Sequence, residues 1–165
     1  MNQTPIWRPT ARLLVADPED RVLLFSGGQA GEERWWITPG GGVHRGETVQ
    51  AAAVRELFEE TGITVTEAGL GAVVATSSGL WFAGESGKLY LGAYSFFFLR
   101  VAHTEVNTDG QEELERSVIT GHRWWSVPEL RATTERILPL QLPDLMERLL
   151  RGDIPARPIR LPRRS

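Results

Sequence analysis

The sequence predicts an α/β (α+β) domain, with helices packed on the faces of a mixed β-sheet. Three observations predict it. The chain has 165 residues, a length that suits one compact domain with a sizeable core. Short apolar runs of strand character are interleaved with amphipathic, helix-like stretches. The first connection between strands is a tight turn, which argues against a purely parallel sheet.

Each element has a local reason. TARLLVA and RVLLF are apolar runs on either side of the turn DPED, which reads as a β-hairpin. SGGQAGEER follows as a polar loop, and WWIT is a short strand that runs into PGGG. Trp35 and Trp36 alternate across that strand, so at most one of them faces a pocket, and Trp124 and Trp125 read the same way. From Glu47 to Thr61 the pattern is helical. At ~100° per residue, Ala51, Val54, Leu57 and Phe58 fall on one side, with Glu56, Glu59 and Glu60 roughly opposite. Gly62 is placed to end the helix in a left-handed conformation.

ITV, LGAVVAT and KLYLGAYSFFFLRV read as strands. NTDGQEE is a turn opening a short helix over ELERSVI, and HRWWS is a further strand. Ser126 followed by Glu129 three residues later is a capping-box pattern, with Pro128 at the helix start. LPDLMERLLRG is an amphipathic helix, with Pro143 in its first turn and Gly152 after its end. Residues 1–152 are expected to form the domain. Residues 153–165, with three prolines and four arginines, are expected to be an extended or disordered tail.

Composition excludes several function classes. The net charge of −3 argues against a nucleic-acid or membrane-surface partner. No apolar run approaches the ~20 residues that span a bilayer, and the N-terminus lacks the pattern of a signal peptide. There is no cysteine, which removes disulfides, thiolate metal sites and cysteine nucleophiles, and fits a cytoplasmic setting. All 18 basic residues but Lys88 are arginine, a bias that a genome explains as well as a function does. The six tryptophans and the run Phe96–Phe98 suit a homodimer interface as well as a core.

The chemistry concentrates in RELFEETGI, residues 55–63. Residues three and four apart are neighbours on a helix, so Glu56 faces both Glu59 and Glu60. A solvated acidic face is one reading, since each like-charge pair costs only ~0.2–0.5 kcal/mol. The other is a site for a hard divalent cation. Mg²⁺ takes oxygen ligands and is often completed by substrate phosphates. PGGGVHRGE lies just upstream, and glycines let a backbone approach a ligand closely. Together the loop and the acids form a candidate metal–diphosphate site.

The spacing Gly41, five residues, Glu47, seven residues, then Arg55-Glu56-Leu57-Phe58-Glu59-Glu60-Thr61-Gly62-Ile63 resembles the complete Nudix box, G-x5-E-x7-R-E-U-x-E-E-x-G-U, where U is bulky and aliphatic. Every fixed position is matched over residues 41–63. The resemblance implies a Nudix-type α/β/α sandwich and a Mg²⁺- or Mn²⁺-dependent hydrolase of a small-molecule nucleoside diphosphate derivative. Candidates are a nucleoside triphosphate, a nucleotide sugar or a damaged nucleotide, with water attacking phosphorus. It implies that Glu56, Glu59 and Glu60 are metal ligands, with Glu56 alternatively the base. Arg55 would brace them, the carbonyl of Gly40 would add a metal oxygen, and Glu47 would support Arg55 or the outer metal shell. Leu57 and Ile63 would be core. An acid outside the box often joins the site in this family, and Glu112, Glu113 and above all Glu115 are the candidates here.

Gly41 and Gly42 are the expected substrate-contacting backbone, and Trp81 is a candidate platform for a base, beside Phe82. Ordinary packing explains these two aromatics equally well. The downstream marks of the ADP-ribose, dinucleoside polyphosphate, NADH and coenzyme A hydrolases are absent; Ser77-Ser78-Gly79-Leu80-Trp81-Phe82 stands where the first two would lie. His44 is an exposed loop residue that could touch a phosphate, and His103 and His122 have no metal-ligand spacing. Two alternatives remain. One is a non-catalytic nucleotide-sensing module, which the intact glutamate set opposes. The other is an RNA 5′-end pyrophosphohydrolase, which the arginine-rich tail permits and the net charge opposes.

Overall fold

A computed structural model describes residues 3–28, 31–82, 86–111 and 119–162. Among these described residues, nine strands form one curled sheet with two branches. β1 (Ile6–Ala16) and β2 (Val22–Gly27) are antiparallel and pair at Ala16 and Val22, beside the turn. The buried Asp17 carboxylate makes that corner. It accepts the backbone N–H groups of Glu19 at 2.9 Å and Arg21 at 2.8 Å, and Arg21 Nε at 2.7 Å. Beyond the corner the strands part. The expected hairpin is therefore a hinge between two sheet branches, because each strand has stronger partners of its own.

β6 (Leu89–Arg100) runs parallel to β1 over its whole length, and β4 (Gly40–Gly42) pairs antiparallel with its other edge at Thr10–Arg12. β5 (Ala75–Phe82) is antiparallel to β6. β9 (Ile159–Arg160) adds parallel to β5, so this part of the C-terminal segment is extended and paired. In the second branch, β3 (Trp35–Ile37) and β7 (Ile119–Trp125) flank β2, and β8 (Arg136–Leu138) adds parallel to β3.

Helices cover both faces. α1 (Val49–Thr61) lays Ala52, Ala53 and Leu57 on Ala11, Leu13, Val15 and Phe97. On the other face, α4 (Leu142–Leu150) packs Leu142, Leu145, Met146 and Leu149 with Leu14, Phe96, Trp36 and Trp125. α3 (Val127–Ala132) starts with the expected capping box between Ser126 and Glu129. Trp36 and Trp125 meet edge to face with ring centroids 5.1 Å apart. Trp36 Nε1 donates to Glu135, and Trp124 Nε1 donates to the Thr104 carbonyl at 3.1 Å. These tryptophans are packing residues.

Three expectations need correction. ITV is not a strand; it leads into a short helix, α2 (Glu67–Leu70), capped by the Thr66 side chain on Gly69 N–H. LGAVVAT becomes strand only from Ala75. The buried side of α1 is also rotated from the expected one. Phe58 is 54 % exposed, whereas Glu56 is 4 % exposed and Glu60 8 %. Two adjacent alanines let the helix sit close to β1, and that turns the acids inward. Among the described residues, no helix is long and apolar enough to cross a membrane.

Candidate active site

The site is built where α1 meets the glycine strand β4. Thr48 caps α1, accepting Ala51 N–H at 3.0 Å, and Gly62 ends it with φ of 75°. Both ends are thus fixed, and Glu56 and Glu60 in its C-terminal half face β4. Gly40 N–H donates to Glu60 Oε2 at 2.8 Å, which ties the loop to the helix. A Cβ on Gly41 would lie 2.5 Å from Glu56 Oε1, so only glycine lets the Glu56 carboxylate sit against this strand.

Arg55 organises the rest. Its Nε and NH2 grip Glu47 at 2.8 and 2.9 Å in a two-point contact, and NH2 also donates to the Gly42 carbonyl at 3.0 Å. Its NH1 reaches Glu56 Oε1 at 2.8 Å and Glu59 Oε2 at 3.2 Å. Glu47 also accepts His44 N–H at 3.0 Å, which pins the start of the loop.

The electrostatics follow. The hydrogen bonds from Arg55, helped by the His44 N–H, lower the Glu47 carboxyl to about 2. The same pairing with Glu47, then Glu56, raises Arg55 above its ordinary value. Burial pushes the Glu56 carboxyl up, and Arg55 opposes that only in part.

Glu56 Oε2 is buried and has no hydrogen-bond partner. An unpartnered buried oxygen in a charged cluster is costly, and it is the atom that a cation would satisfy. Among the described residues no three acids or histidines close around one point as a finished ligand set, because Arg55 holds one oxygen each of Glu56 and Glu59. The donor chemistry fits a hard divalent ion: oxygen only, half-buried to buried, with an unspent carboxylate oxygen.

Of the residues expected at the site, Arg55, Glu56, Glu59, Glu60, Glu47, Gly40, Gly41 and Gly42 come together here. The Gly40 carbonyl lies 3.5 Å from Arg12 NH1, which also donates to the Thr38 carbonyl at 3.1 Å. Glu112, Glu113 and Glu115 lie outside the described residues. Trp81 lies apart from the acids, stacked on Tyr90 with centroids 4.6 Å apart. It lines a cleft of about 360 Å³ with Arg12, Tyr94 and Arg136. Sequence reasoning missed Arg12 and Arg136 of this cleft, and Arg8 beside the Trp81 and Tyr90 rings. Arg8 and Arg12 share a face of β1 at strand spacing, but nothing local distinguishes them from surface charges.

A family model for the NUDIX domain matches residues 7–145. The chain belongs to the Nudix family. Among curated Nudix relatives, it is 41 % identical over 51 residues to the uncharacterized Nudix hydrolase YvcI of Bacillus subtilis, covering 31 % of this chain and 30 % of that protein. It is 37 % identical over 76 residues to an RNA pyrophosphohydrolase of Sphingopyxis alaskensis, covering 46 % of each. It is 33 % identical over 126 residues to Nudix hydrolase 19, chloroplastic, of Arabidopsis thaliana, covering 74 % of this chain and 25 % of that protein. The chain spans less than half the length of each of these relatives. The fold is shared with the E. coli ORF135 protein, with a TM-score of 0.60 and 23 % identity over 93 % of this chain and 96 % of that one. A MutT protein from Bacillus halodurans aligns with a TM-score of 0.59 and 23 % identity, over 88 % and 84 %.

Proposed function

We propose that the protein is a Mg²⁺- or Mn²⁺-dependent pyrophosphohydrolase that cleaves the diphosphate linkage of a small nucleotide derivative. The observation that carries this is the unpartnered, buried Glu56 Oε2, beside Glu59 and Glu60 and against the glycine strand. Glu56, Glu59 and Glu60 would hold the ion, with the Gly40 carbonyl as a further oxygen. When bound, such an ion neutralises phosphate charge and makes water more acidic.

The protein's own residues do the positioning. Arg55 locks Glu47 and the Gly42 carbonyl in place and orients Glu56. Glu60 fixes Gly40, and with it the approach of the loop to a phosphate. In the alternative in which Glu56 is the base instead of a ligand, Oε2 is the oxygen that would accept a proton from attacking water, and Glu59, Glu60 and the Gly40 carbonyl would hold the ion. A cytoplasmic setting is part of the same proposal, supported by the absence of cysteine.

The test is turnover on a panel of nucleoside diphosphate derivatives with Mg²⁺ and with Mn²⁺, beside a Glu60→Gln variant. Removing an outer partner of a metal site costs ~10–100-fold, so loss of a ligand should cost at least ~100-fold. The amide can still accept from Gly40 N–H, so the fold should persist. Activity retained in Glu60→Gln would refute the assignment. A second reading, RNA 5′-end pyrophosphohydrolysis, draws on the Sphingopyxis alaskensis relative. A triphosphorylated oligonucleotide in the panel decides it.

A further inference from the structure

We propose that Arg8 is a substrate-binding residue. Its guanidinium would grip a phosphate where the substrate passes from the Trp81–Tyr90 shelf, over Gly42, to the acids of α1. The inference rests on the diphosphate reading of the site and adds the route by which the rest of the substrate leaves it.

Two adjacent glycines of β4 point to opposite sides. A Cβ on Gly41 would strike Glu56, whereas one on Gly42 would lie 3.5 Å from Arg8 Nε and NH2. Strand β4 is thus a thin wall without side chains, with carboxylates on one side and a guanidinium on the other. On the far side of Arg8 stand the two stacked rings. Its Cζ lies 5.7 Å from the Trp81 ring centroid and 5.6 Å from that of Tyr90. The register explains how Arg8 reaches them. It pairs with Gly92 on β6, which pairs with Gly79 on β5. That row therefore has no side chain of its own beyond Arg8, and the Tyr94 ring lies over Gly92, where a Cβ would come within 2.7 Å of its hydroxyl.

Among the described residues Arg8 makes no ion pair, and its guanidinium faces the two rings. The neighbouring cleft of about 360 Å³ carries Arg12 and Arg136 and no acid among its lining residues. A positive, aromatic-walled surface leading to an acidic, cation-binding one matches a ligand with an aromatic base and a phosphate chain. An arginine fork suits phosphate in particular, and Trp81 supplies a ring face to a base.

Calorimetric titration with Mg²⁺ tests this. The ligands are the α,β-methylene diphosphates of adenosine, guanosine and uridine, and methylenediphosphonate, which keeps the uncleavable phosphate pair and has no base. Arg8→Ala should weaken both the tightest nucleoside ligand and methylenediphosphonate by about tenfold or more, and Arg8→Lys should recover part of that. Trp81→Ala should weaken the nucleoside ligand alone. Arg8 is exposed, so these variants should fold.

Binding of both ligands by Arg8→Ala within about twofold of wild type would overturn the inference, as would a wild-type protein that binds none of them. Wild-type binding without turnover of any diphosphate would sink the hydrolase reading and leave Arg8 in place. Turnover by Arg8→Ala at unchanged KM would sink Arg8 and leave the hydrolase.

Discussion

At the scale of single residues, Arg55 decides how the acids share their charge. It commits two of its nitrogens to Glu47, which is why the Glu47 carboxyl is depressed. That has a pH signature. A carboxyl lowered to about 2 from 4.5 contributes stability that is fully present above its unfolded value. The contribution is lost as pH falls from about 4.5 to about 2. Urea midpoints of wild type and Glu47→Gln should therefore differ at neutral pH and converge through that window. A difference as large near the bottom of the window as at pH ~7 would show that the Arg55 pairing is not its source. The grouping of Arg55 with Glu47 and the other acids was legible in advance, because the resemblance to the Nudix box implies it. Arg8 and Arg12 were not legible, because their meaning depends on β4, which reaches β1 only through the fold.

Between elements, the decisive contact is the helix α1 lying on the glycine strand β4. Periodicity alone suggests that the acids face outward and Phe58 inward, since a polar face is assumed to be solvated. The fold inverts this, because Ala52 and Ala53 bring the helix close and Gly41 leaves room for Glu56. Short strands escaped the sequence for a related reason. β8 and β9 are two or three residues long and owe their form to partners far along the chain, so no local alternation marks them. The intimacy of α1 and β4 can be probed by one methyl group. Gly41→Ala places a Cβ 2.5 Å from Glu56 Oε1, and the φ of Gly41 is not in the left-handed region, so the effect is steric. Overpacking of this kind costs ~1–3 kcal/mol. We expect a lower melting temperature together with a loss of turnover, because Glu56 must move. Wild-type turnover and melting in Gly41→Ala would mean that Glu56 sits elsewhere in solution.

Over the whole molecule, the two sheet branches are joined at the Asp17 corner and clamped by helices on both faces. At one end of the sheet lies β5, the strand that carries Trp81, with the short β9 beyond it. The C-terminal segment covers part of it. Ile159 N–H donates to the Val74 carbonyl at 2.9 Å, and Leu161 N–H donates to the Thr76 carbonyl at 2.8 Å. Leu161 is 6 % exposed and belongs to the core beneath α4. A tail read from composition alone as proline- and arginine-rich therefore contains a leucine anchor, which composition cannot reveal. Burying a leucine contributes ~1.5–3 kcal/mol, and an unpaired sheet edge invites other strands. Leu161→Ala should cost about 2 kcal/mol, a fall of roughly 4–8 °C in melting temperature for a chain of this size. Deleting residues 159–165 should cost more, because the two backbone hydrogen bonds to Val74 and Thr76 go as well. It should also raise the tendency to associate at high concentration, read by light scattering. If both variants melt within about 1 °C of wild type, the segment is not anchored and β5 is a free edge. A graded loss, deletion exceeding Leu161→Ala, makes β9 part of the frame that holds the Trp81 shelf.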